Sequence, residues 1–200
     1  MTDAAPLIRE TIDDHLATVA RFREKCSGVV AEMAARTVAC LRDGGKICFF
    51  GNGGSAADSQ HFATEFTVRF TRNRRGLAAI AFTTDTSTLT ACANDFGFEA
   101  VFARQVEALC RPGDIVVGIS TSGNSPNVVR GLEFARGAGI GTFAFTGEQG
   151  GRCAACADLT LAAPSPVTAR VQECHLLAGH LLCDLAEIAF AAEPSAISAS

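Results

Sequence analysis

Two side chains that can carry protons lie one helical turn apart in the segment "KICFFGNGGSAADSQHFATEF". His61 and Glu65 are separated by four positions, so on a helix they share one face, with about 6 Å between their β-carbons. A glycine-rich turn, Gly51 to Ser55, precedes them, with Ser55 placed to cap the following helix, and backbone N–H groups there can approach an anion. The segment therefore predicts an anion-binding turn beside an imidazole and a carboxylate.

A helical segment near the C-terminus offers three more candidates, Gln172, His175 and His180. Gln172 and His180 are eight positions apart, about 80° around a helix axis, so both can face one cleft, and His175 is an alternative. Spacing alone leaves other roles open, because a single helix histidine is commonly a surface or core residue and Glu65 can pair with Arg69 at i+4. These groups are candidates for acid–base chemistry or metal binding.

A hydroxyl-rich stretch follows the apolar run "DIVVGIS" and leads to Pro126, which is favoured in the first turn of a helix. The hydroxyl groups belong to Ser120, Thr121, Ser122 and Ser125. Together with backbone N–H groups they can form a neutral nest that holds a phosphate without lysine or arginine. We therefore expect the phosphate of a ligand at this stretch and the rest of a sugar at the glycine-rich turn.

The glycine-rich turn has rival interpretations. It lacks the lysine and hydroxyl of the nucleotide P-loop, which argues against ATP or GTP. A dinucleotide fold is a sharper rival, because Gly51-x-Gly53-x-x-Ala56 matches a loose G-x-G-x-x-A and Asp85 ends the second predicted strand. A tight strand-to-helix turn without a ligand is the third interpretation.

The elements that must position these residues alternate along the chain. Short apolar runs predict strands at 46–50, 77–83, 114–119, 140–145 and 159–162, and helices are predicted at 54–70, 86–109 (interrupted at "NDFGF"), 125–137 and 167–190. Strands that are apolar throughout and separated by helices predict a parallel sheet covered on both faces, with ligands at the carboxyl ends of the strands. We expect one domain over 1–200, with two N-terminal helices in 1–43, an α/β core over 44–190 and a disordered tail over 191–200.

Composition excludes several classes of function. A net charge of −4 provides no field for nucleic acid, and no apolar run reaches the ~18 residues of a membrane span. The start "MTDAAPLIRETIDDH" lacks the basic and apolar pattern of a secretory signal, so we expect a cytoplasmic protein.

The nine cysteines are scattered, with Cys110 expected inside a helix. Most lie inside apolar runs and should be reduced core residues. Cys153 and Cys156 form a C-x-x-C, for which a redox or zinc role is disfavoured because a zinc ribbon needs a second pair. In "RFTRNRR", we expect Arg72, Arg74 and Arg75 to be solvated cations at a helix C-terminus.

Four separated motifs, "FGNGGSAADSQHFATE", "ANDFGFEAVFARQV", "GISTSGNSPNV" and "TARVQECHLLAGHLLCDL", resemble the phosphoheptose isomerase family of the sugar-isomerase (SIS) superfamily. The resemblance implies a five-stranded parallel sheet flanked by helices, a flavodoxin-like three-layer sandwich. It also implies a homotetramer with active sites at subunit interfaces. The implied reaction interconverts sedoheptulose 7-phosphate and D-glycero-D-manno-heptose 7-phosphate, the first step towards nucleotide-activated heptose for bacterial surface polysaccharide such as lipopolysaccharide.

The resemblance also implies site residues. One Zn²⁺ per subunit would be held by His61, Glu65, Gln172 and His180. A carboxylate is ionised at neutral pH, so Glu65 is the natural base, and His180 suits the transfer of protons between two oxygens. Ala169 departs from the pattern, since some relatives carry an acidic residue there. The implied substrate contacts are Asn52, Gly53, Gly54, Ser55, Glu65, Arg69, Asn94, Asp95, Ser120, Thr121, Ser122, Ser125 and Gln172.

Two other functions remain as alternatives. A non-catalytic SIS protein could sense sugar phosphates or dock on a partner, as relatives associated with the replication initiator do, but such relatives lose the acid–base residues that this chain keeps. A nucleotide-linked dehydrogenase is disfavoured, because the second ligand loop is rich in hydroxyls and the residues that resemble metal ligands would go unused.

Overall fold

The structure is a computed structural model that describes residues 4–193, 195 and 197. A short 3₁₀ turn, Phe98–Ala100, lies between two of the helices. The elements are α1 (Ala5–Arg42), β1 (Ile47–Gly51), α2 (Gly54–Thr67), β2 (Ala79–Ala81), α3 (Thr86–Phe96), α4 (Val101–Leu109), β3 (Ile115–Ser120), α5 (Pro126–Gly137), β4 (Gly141–Gly147), α6 (Gly151–Ala155), β5 (Leu159–Ala163) and α7 (Thr168–Phe190).

The five strands form one parallel sheet in the order β2-β1-β3-β4-β5. The predicted fold class is therefore confirmed. Inner strands β1, β3 and β4 are buried almost throughout, because helices cover both faces. β2 is shorter than the predicted 77–83, since as an edge strand it pairs only with β1. The strand order reverses between β1 and β3, so the loops that follow these two strands meet at a typical ligand-binding position.

Two apolar layers hold the helices on the sheet. On one face, side chains of α1, α2 and α7 pack against the strands, with Phe49, Phe62 and Phe145 among the fully buried residues. On the other face, α3, α4 and α5 pack against the sheet, with Phe102 of α4 stacked on Phe50 of β1. The layer with α2 and α7 carries the candidate acid–base residues, so this packing sets the distance between the two helices.

The N-terminal region is one helix rather than the expected two. α1 has 38 residues, which at 1.5 Å per residue is about 57 Å. Within α1 no proline follows Pro6, and the helix continues through Gly28, so nothing in this segment interrupts the backbone hydrogen bonding. Its second half packs on the domain, whereas Leu7, Ile8, Ile12 and Leu16 in its first half are exposed.

The C-terminal end of the chain lies beyond α7, which ends at Phe190. Positions 194, 196 and 198–200 of the expected disordered tail lie outside the described residues. Glu193 is described, and its carboxylate and backbone oxygen bind Arg75. The division of the chain into one domain with these limits remains a prediction. In the described part of the chain, no helix combines the length and apolar character that a bilayer crossing requires.

Candidate active site

The turn after β1 begins the candidate site. Gly53, with φ 57° and ψ −121°, is the N-cap of α2, so the expected capping role of Ser55 is wrong. Only glycine adopts this backbone conformation readily, which explains the residue type. The side-chain amides of Asn52 and Asn127 exchange two hydrogen bonds of 2.8 and 2.9 Å. Because Asn127 lies in the first turn of α5, this pair ties the turn after β1 to the loop after β3.

The loop after β3, residues 120–125, is called the hydroxyl loop below. Ser120 Oγ lies 2.9 Å from Ser125 Oγ and 3.4 Å from Ser122 Oγ, so three serine oxygens converge at the N-terminus of α5. Gly123 has φ +66°, and a β-carbon there would lie 2.1 Å from the backbone oxygen of Gly150. Neutral hydroxyls at a helix N-terminus can hold an anion, as the sequence predicts.

A cavity of about 240 Å³ opens beside the hydroxyl loop. Thr121 and Ser122 line one side of it, and Thr168 and Val171 from the first turn of α7 line the other. The start of α7 therefore lies next to the hydroxyl loop. Two turns further along, the same helix reaches the candidate acid–base residues.

His61, Glu65 and His180 come together between α2 and α7, and this group is called the histidine cleft below. The Nε2 atoms of His61 and His180 lie 2.8 Å apart although 119 positions separate them. Glu65 Oε1 is 3.7 Å from Nδ1 of His61. The ring of Phe70, which follows α2, stacks on the ring of His180 at 5.1 Å between centroids. The two helices thus bring two imidazoles and a carboxylate into one cleft.

The pKa of His180 lies below its ordinary value. Burial is the main cause, because it disfavours the charged ring, and the facing ring of His61 acts in the same direction. The negative charge of Glu65 opposes both effects. A ring with a lowered pKa is neutral at pH 7, which leaves a nitrogen lone pair for a proton or a metal ion.

The donor atoms of the histidine cleft suit zinc. Two ligands of a tetrahedral zinc ion with Zn–N bonds of 2.0–2.1 Å are about 3.3 Å apart. The two Nε2 atoms would therefore separate by roughly half an ångström to accept an ion. Among the described residues, no group of three or more His, Cys, Asp or Glu side chains is already arranged to hold a metal. Glu65, which faces Nδ1 of His61 rather than Nε2, would have to rotate.

Gln172 lies against the glycine-rich turn rather than against the histidines. A β-carbon on Gly54 would be 2.6 Å from Gln172 Nε2, so the missing side chain makes room for this amide. Both residues line a cavity with Ala169, and the carboxyl group of Asp58 lies there too. Burial raises the pKa of Asp58, with the charge of His61 opposing it. Asp58 was missed, although its i+4 spacing from Gly54 and i+3 spacing to His61 places all three on one helical face.

Several other candidates lie apart from the histidine cleft. His175 is fully buried on the side of α7 that faces β4, where its Nε2 lies 3.0 Å from the backbone oxygen of Thr146. It is therefore a core residue and not an alternative ligand. Asn94 and Asp95 lie on the exposed end of α3 and bond to each other. Arg69 is exposed after α2, where it lines a surface cavity. Asp85 caps α3 through Thr88, which removes support from a dinucleotide site.

The arginine and cysteine expectations have mixed outcomes. Arg74 is buried with an exposed fraction of 2 %, so the expectation of a solvated cation is wrong for it.

All nine cysteines fall within the described part of the chain and are free thiols, seven of them buried. Cys110 follows α4 instead of lying inside a helix. Burial raises the pKa of Cys153 to about 12, so this thiol is a poor nucleophile.

The fold and the paired loops define a class of protein. Over residues 12–147 the chain matches the family model described as SIS domain. The chain is also 51% identical to the phosphoheptose isomerase of Aquifex aeolicus (strain VF5), over 90% of this chain and 93% of that protein. The solved phosphoheptose isomerase GmhA from Neisseria gonorrhoeae has a TM-score of 0.86 and 41% identity, covering 92% of this chain and 98% of its own. A solved phosphoheptose isomerase from Francisella tularensis has a TM-score of 0.90 and 34% identity, covering 94% of this chain and 100% of its own. The chain therefore belongs to the phosphoheptose isomerase family, which confirms the resemblance of the four motifs.

Proposed function

We propose that the chain is an aldose–ketose isomerase that interconverts sedoheptulose 7-phosphate and D-glycero-D-manno-heptose 7-phosphate through an enediol. The observation that carries the proposal is the approach of His180 to His61, at 2.8 Å between Nε2 atoms, beside the carboxylate of Glu65. A positioned base and a proton shuttle are what a carbonyl shift along a sugar chain requires. The relatives at 41–51% identity are phosphoheptose isomerases, which supports the same class of reaction.

Glu65 acts as the base and His180 as the proton shuttle in this mechanism. Glu65 removes a proton from C1 of the ketose while the ring N–H of neutral His180 donates its proton to the oxygen on C2, which gives the enediol. Glu65 then returns a proton to C2 while His180 takes the proton from the oxygen on C1. The C1–H bond that breaks is balanced by the C2–H bond that forms, and both side chains regain their starting states.

The hydroxyl loop and the glycine-rich turn bind the substrate in this proposal. The phosphate rests on the hydroxyl loop and the N-terminus of α5, and the sugar chain follows α7 towards the histidine cleft. Gln172 and His180 are eight residues, about 12 Å, apart along α7, which suits an extended seven-carbon chain. The proposed substrate contacts are Asn52, Gly53, Gly54, Ser55, Glu65, Arg69, Asn94, Asp95, Ser120, Thr121, Ser122, Ser125 and Gln172.

A zinc ion fits the donor atoms of this site. His61, Glu65 and His180 would hold it, one ion per subunit, and rotation of the Gln172 side chain would supply the fourth ligand. When bound, zinc supplies a positive charge that polarises the substrate oxygens. The residues of the chain orient the sugar and move the protons.

We also propose a cytoplasmic homotetramer with its active sites at subunit interfaces. The exposed apolar residues of α1, together with Leu181, Leu185 and Ile188 on α7, support an assembly of copies. Asn94 and Asp95 would then contact substrate in a neighbouring subunit. Free thiols suit a reducing compartment, and the net charge of −4 supports a small-molecule substrate over nucleic acid. The product would enter heptose biosynthesis.

Incubation with sedoheptulose 7-phosphate in deuterated water tests the proposed reaction. We expect the aldose to form, with deuterium at C2, because the proton on the base exchanges with solvent before it is returned. Binding of the sugar phosphate without product or exchange would contradict the isomerase and indicate a non-catalytic sensor. A variant with Glu65→Gln provides the matched control for background exchange.

A further inference from the structure

Glu187, in the last turns of α7, is a fully buried carboxylate with five bonding partners. Its side chain has an exposed fraction of 0%. Three successive backbone N–H groups donate to it, from Phe70 at 2.7 Å and from Thr71 and Arg72 at 2.8 Å each. The Thr71 hydroxyl donates at 3.2 Å, and Arg74 Nη2 lies 3.2 Å away. One side chain of α7 therefore holds the whole segment that follows α2.

Arg74 completes the connection by folding back onto the end of α2. Its Nη2 donates to the backbone oxygen of Glu65 at 2.7 Å, and its Nη1 donates to the backbone oxygens of Phe66 at 2.8 Å and Val68 at 3.3 Å. These are the carbonyl groups that a helix leaves without internal partners at its C-terminus. A buried guanidinium caps them and suits the negative end of the helix dipole.

The charges of this pair are held in a buried environment. Burial alone would raise the pKa of Glu187, but the three backbone N–H groups and Arg74 outweigh burial and hold the pKa below its ordinary value. The carboxylate is therefore charged when the protein is folded. Loss of one partner of a buried pair leaves the other charge uncompensated, so neither residue is replaceable alone without rearrangement.

The pair also touches both helices of the histidine cleft. Glu187 lies seven positions after His180, two turns along the same face of α7. Arg74 holds the backbone of Glu65, and the segment bound by Glu187 carries Phe70, whose ring stacks on His180. The pair thus fixes α2, the following segment and α7 at the position where Glu65 and His180 must face one substrate.

We propose that Glu187 and Arg74 are positioning residues that set the placement of Glu65 and Phe70 relative to His180. Neither residue contacts the substrate in this proposal. They act through the backbone of Glu65 and through the ring that packs on the His180 imidazole. The proposal deepens the isomerase function and rests on it for its kinetic consequence, whereas its structural consequence can be measured in the absence of turnover.

Asp114 provides a matched control at the other end of the sheet. Its side chain is also buried, with an exposed fraction of 1%. It accepts hydrogen bonds from the backbone N–H groups of Lys46 and Arg111 and pairs with the Lys46 ammonium. It lies just before β3, at the amino ends of the strands, far from the loops that bind ligands. Glu187→Gln and Asp114→Asn therefore remove the same kind of charge from two places.

The experiment compares these variants with the wild-type protein, at a temperature well below the melting temperature of each. We expect Glu187→Gln to lower kcat for sedoheptulose 7-phosphate roughly 10–100-fold, with KM within about threefold, because misplaced reacting groups lower the rate more than binding. The imidazole NMR signals of His61 and His180 should shift. Asp114→Asn should lose stability but keep kcat and both signals.

Two more variants keep the test decisive if Glu187→Gln does not fold. Phe70→Leu leaves the Glu187 bonds to the backbone intact and removes the ring, so it should shift the His180 signal and lower kcat. Glu187→Asp keeps the charge and should recover part of kcat. Unchanged histidine signals in Phe70→Leu, or wild-type kcat in folded Glu187→Gln, would overturn the proposal. Equal loss of kcat in Asp114→Asn at equal loss of stability would also overturn it.

The failure of the proposed function has a different signature. If the wild-type protein does not convert the heptose phosphate, the isomerase is contradicted, but the NMR comparison still decides the positioning role. Shifted signals for Glu187→Gln, with unshifted signals for Asp114→Asn, support the positioning role in that case. Unshifted signals in both variants overturn it.

Discussion

The hydroxyl loop and the histidine cleft are the two parts of the candidate site, and they are built in opposite ways. The hydroxyl loop is a single run of six residues whose backbone turn brings neutral oxygens together. The histidine cleft joins residues from α2 and α7 that are 119 positions apart, and all of its groups can titrate. A local turn is suited to fixed binding of an anion, whereas the cleft depends on the packing of two helices.

α7 sends one histidine to each part, and the two environments differ. His175 bonds to the backbone oxygen of Thr146 in β4. Thr146 pairs in register with Ser120, the first residue of the hydroxyl loop, so His175 stabilises the strand next to that loop. It is fully buried, whereas His180 is only half-buried and faces another imidazole. Under the proposed function, binding and stability belong to the first part and proton transfer to the second. Variants in each part should therefore have separable effects.

Glu65→Gln should have the largest effect on the rate. The amide keeps the shape of the side chain but cannot accept the proton from C1, so we expect kcat to fall roughly 10²–10⁴-fold. Binding of the sugar phosphate, measured by calorimetry, should change by less than about threefold, because the hydroxyl loop is untouched. Normal turnover by this variant would remove Glu65 from the role of base.

Stability at acid pH should depend on His175. Burial lowers the pKa of His175 from 6.5 to about 4, partly opposed by its bond to the Thr146 oxygen. Among residues 4–193, 195 and 197, nothing bonds to its Nδ1, so a second ring proton would be buried without a partner. The unfolded chain binds more protons in this range, so stability should decrease as pH falls from 6.5 towards 4, by up to about 3 kcal/mol.

Chemical denaturation between pH 7 and pH 4.5 measures this effect. His175→Gln keeps an N–H donor and cannot titrate, so its free energy of unfolding should vary less with pH than that of the wild type. Because His175 belongs to the core, kcat at pH 7 should remain close to the wild-type value. An identical pH dependence in the two proteins would assign the acid sensitivity to carboxylates elsewhere.

The difference between the hydroxyl loop, which is one local turn, and the histidine cleft, which two helices build, explains what the sequence could predict. The sheet and the hydroxyl loop were predictable, because apolar runs and a contiguous group of hydroxyls before Pro126 are local signals. Spacing picked out His61 with Glu65 and, separately, His180 as candidates, but no local rule pairs His61 with His180, and their joining in one site entered only through the family resemblance. Its convergence in the structure agrees with that expectation, while the roles of its residues remain proposals.

Residues that act through tertiary contacts were the main omissions. Arg74 was expected to be solvated because arginine near a helix C-terminus usually is, and its burial depends on Glu187, 113 positions later in the sequence. The N-terminal region is one helix instead of the expected two, because α1 continues through Gly28 without a break. Local composition does not encode the burial of Arg74, since that burial depends on how the helices pack.

Ser125→Ala should have a smaller effect that falls on binding. Ser125 is the N-cap residue of α5, yet within the described residues its hydroxyl makes no capping bond and instead lies 2.9 Å from Ser120 Oγ. The loss of one hydrogen bond to a charged phosphate should raise KM about tenfold, with kcat within about twofold. The melting temperature should stay close to the wild-type value, unlike that of a usual N-cap variant. A fall in kcat with unchanged KM would contradict the division between the two parts.

Gly54→Ala should have the smallest effect and reports on Gln172, which lies between the two parts. The added methyl group would be 2.6 Å from Gln172 Nε2, the far end of a flexible side chain, so the amide can move aside at little cost to stability. Alanine also favours the helix more than glycine does, so the free energy of unfolding should change by less than about 1 kcal/mol. If Gln172 contacts the substrate or the metal, this displacement should raise KM or lower zinc content a few-fold, as measured by kinetics and elemental analysis.

The Gln172→Ala variant should show the same defect, and Gly54→Ala should add nothing to it. An additional loss in the double variant would mean that Gly54 contacts the ligand directly and that Gln172 is not the residue through which the methyl group acts.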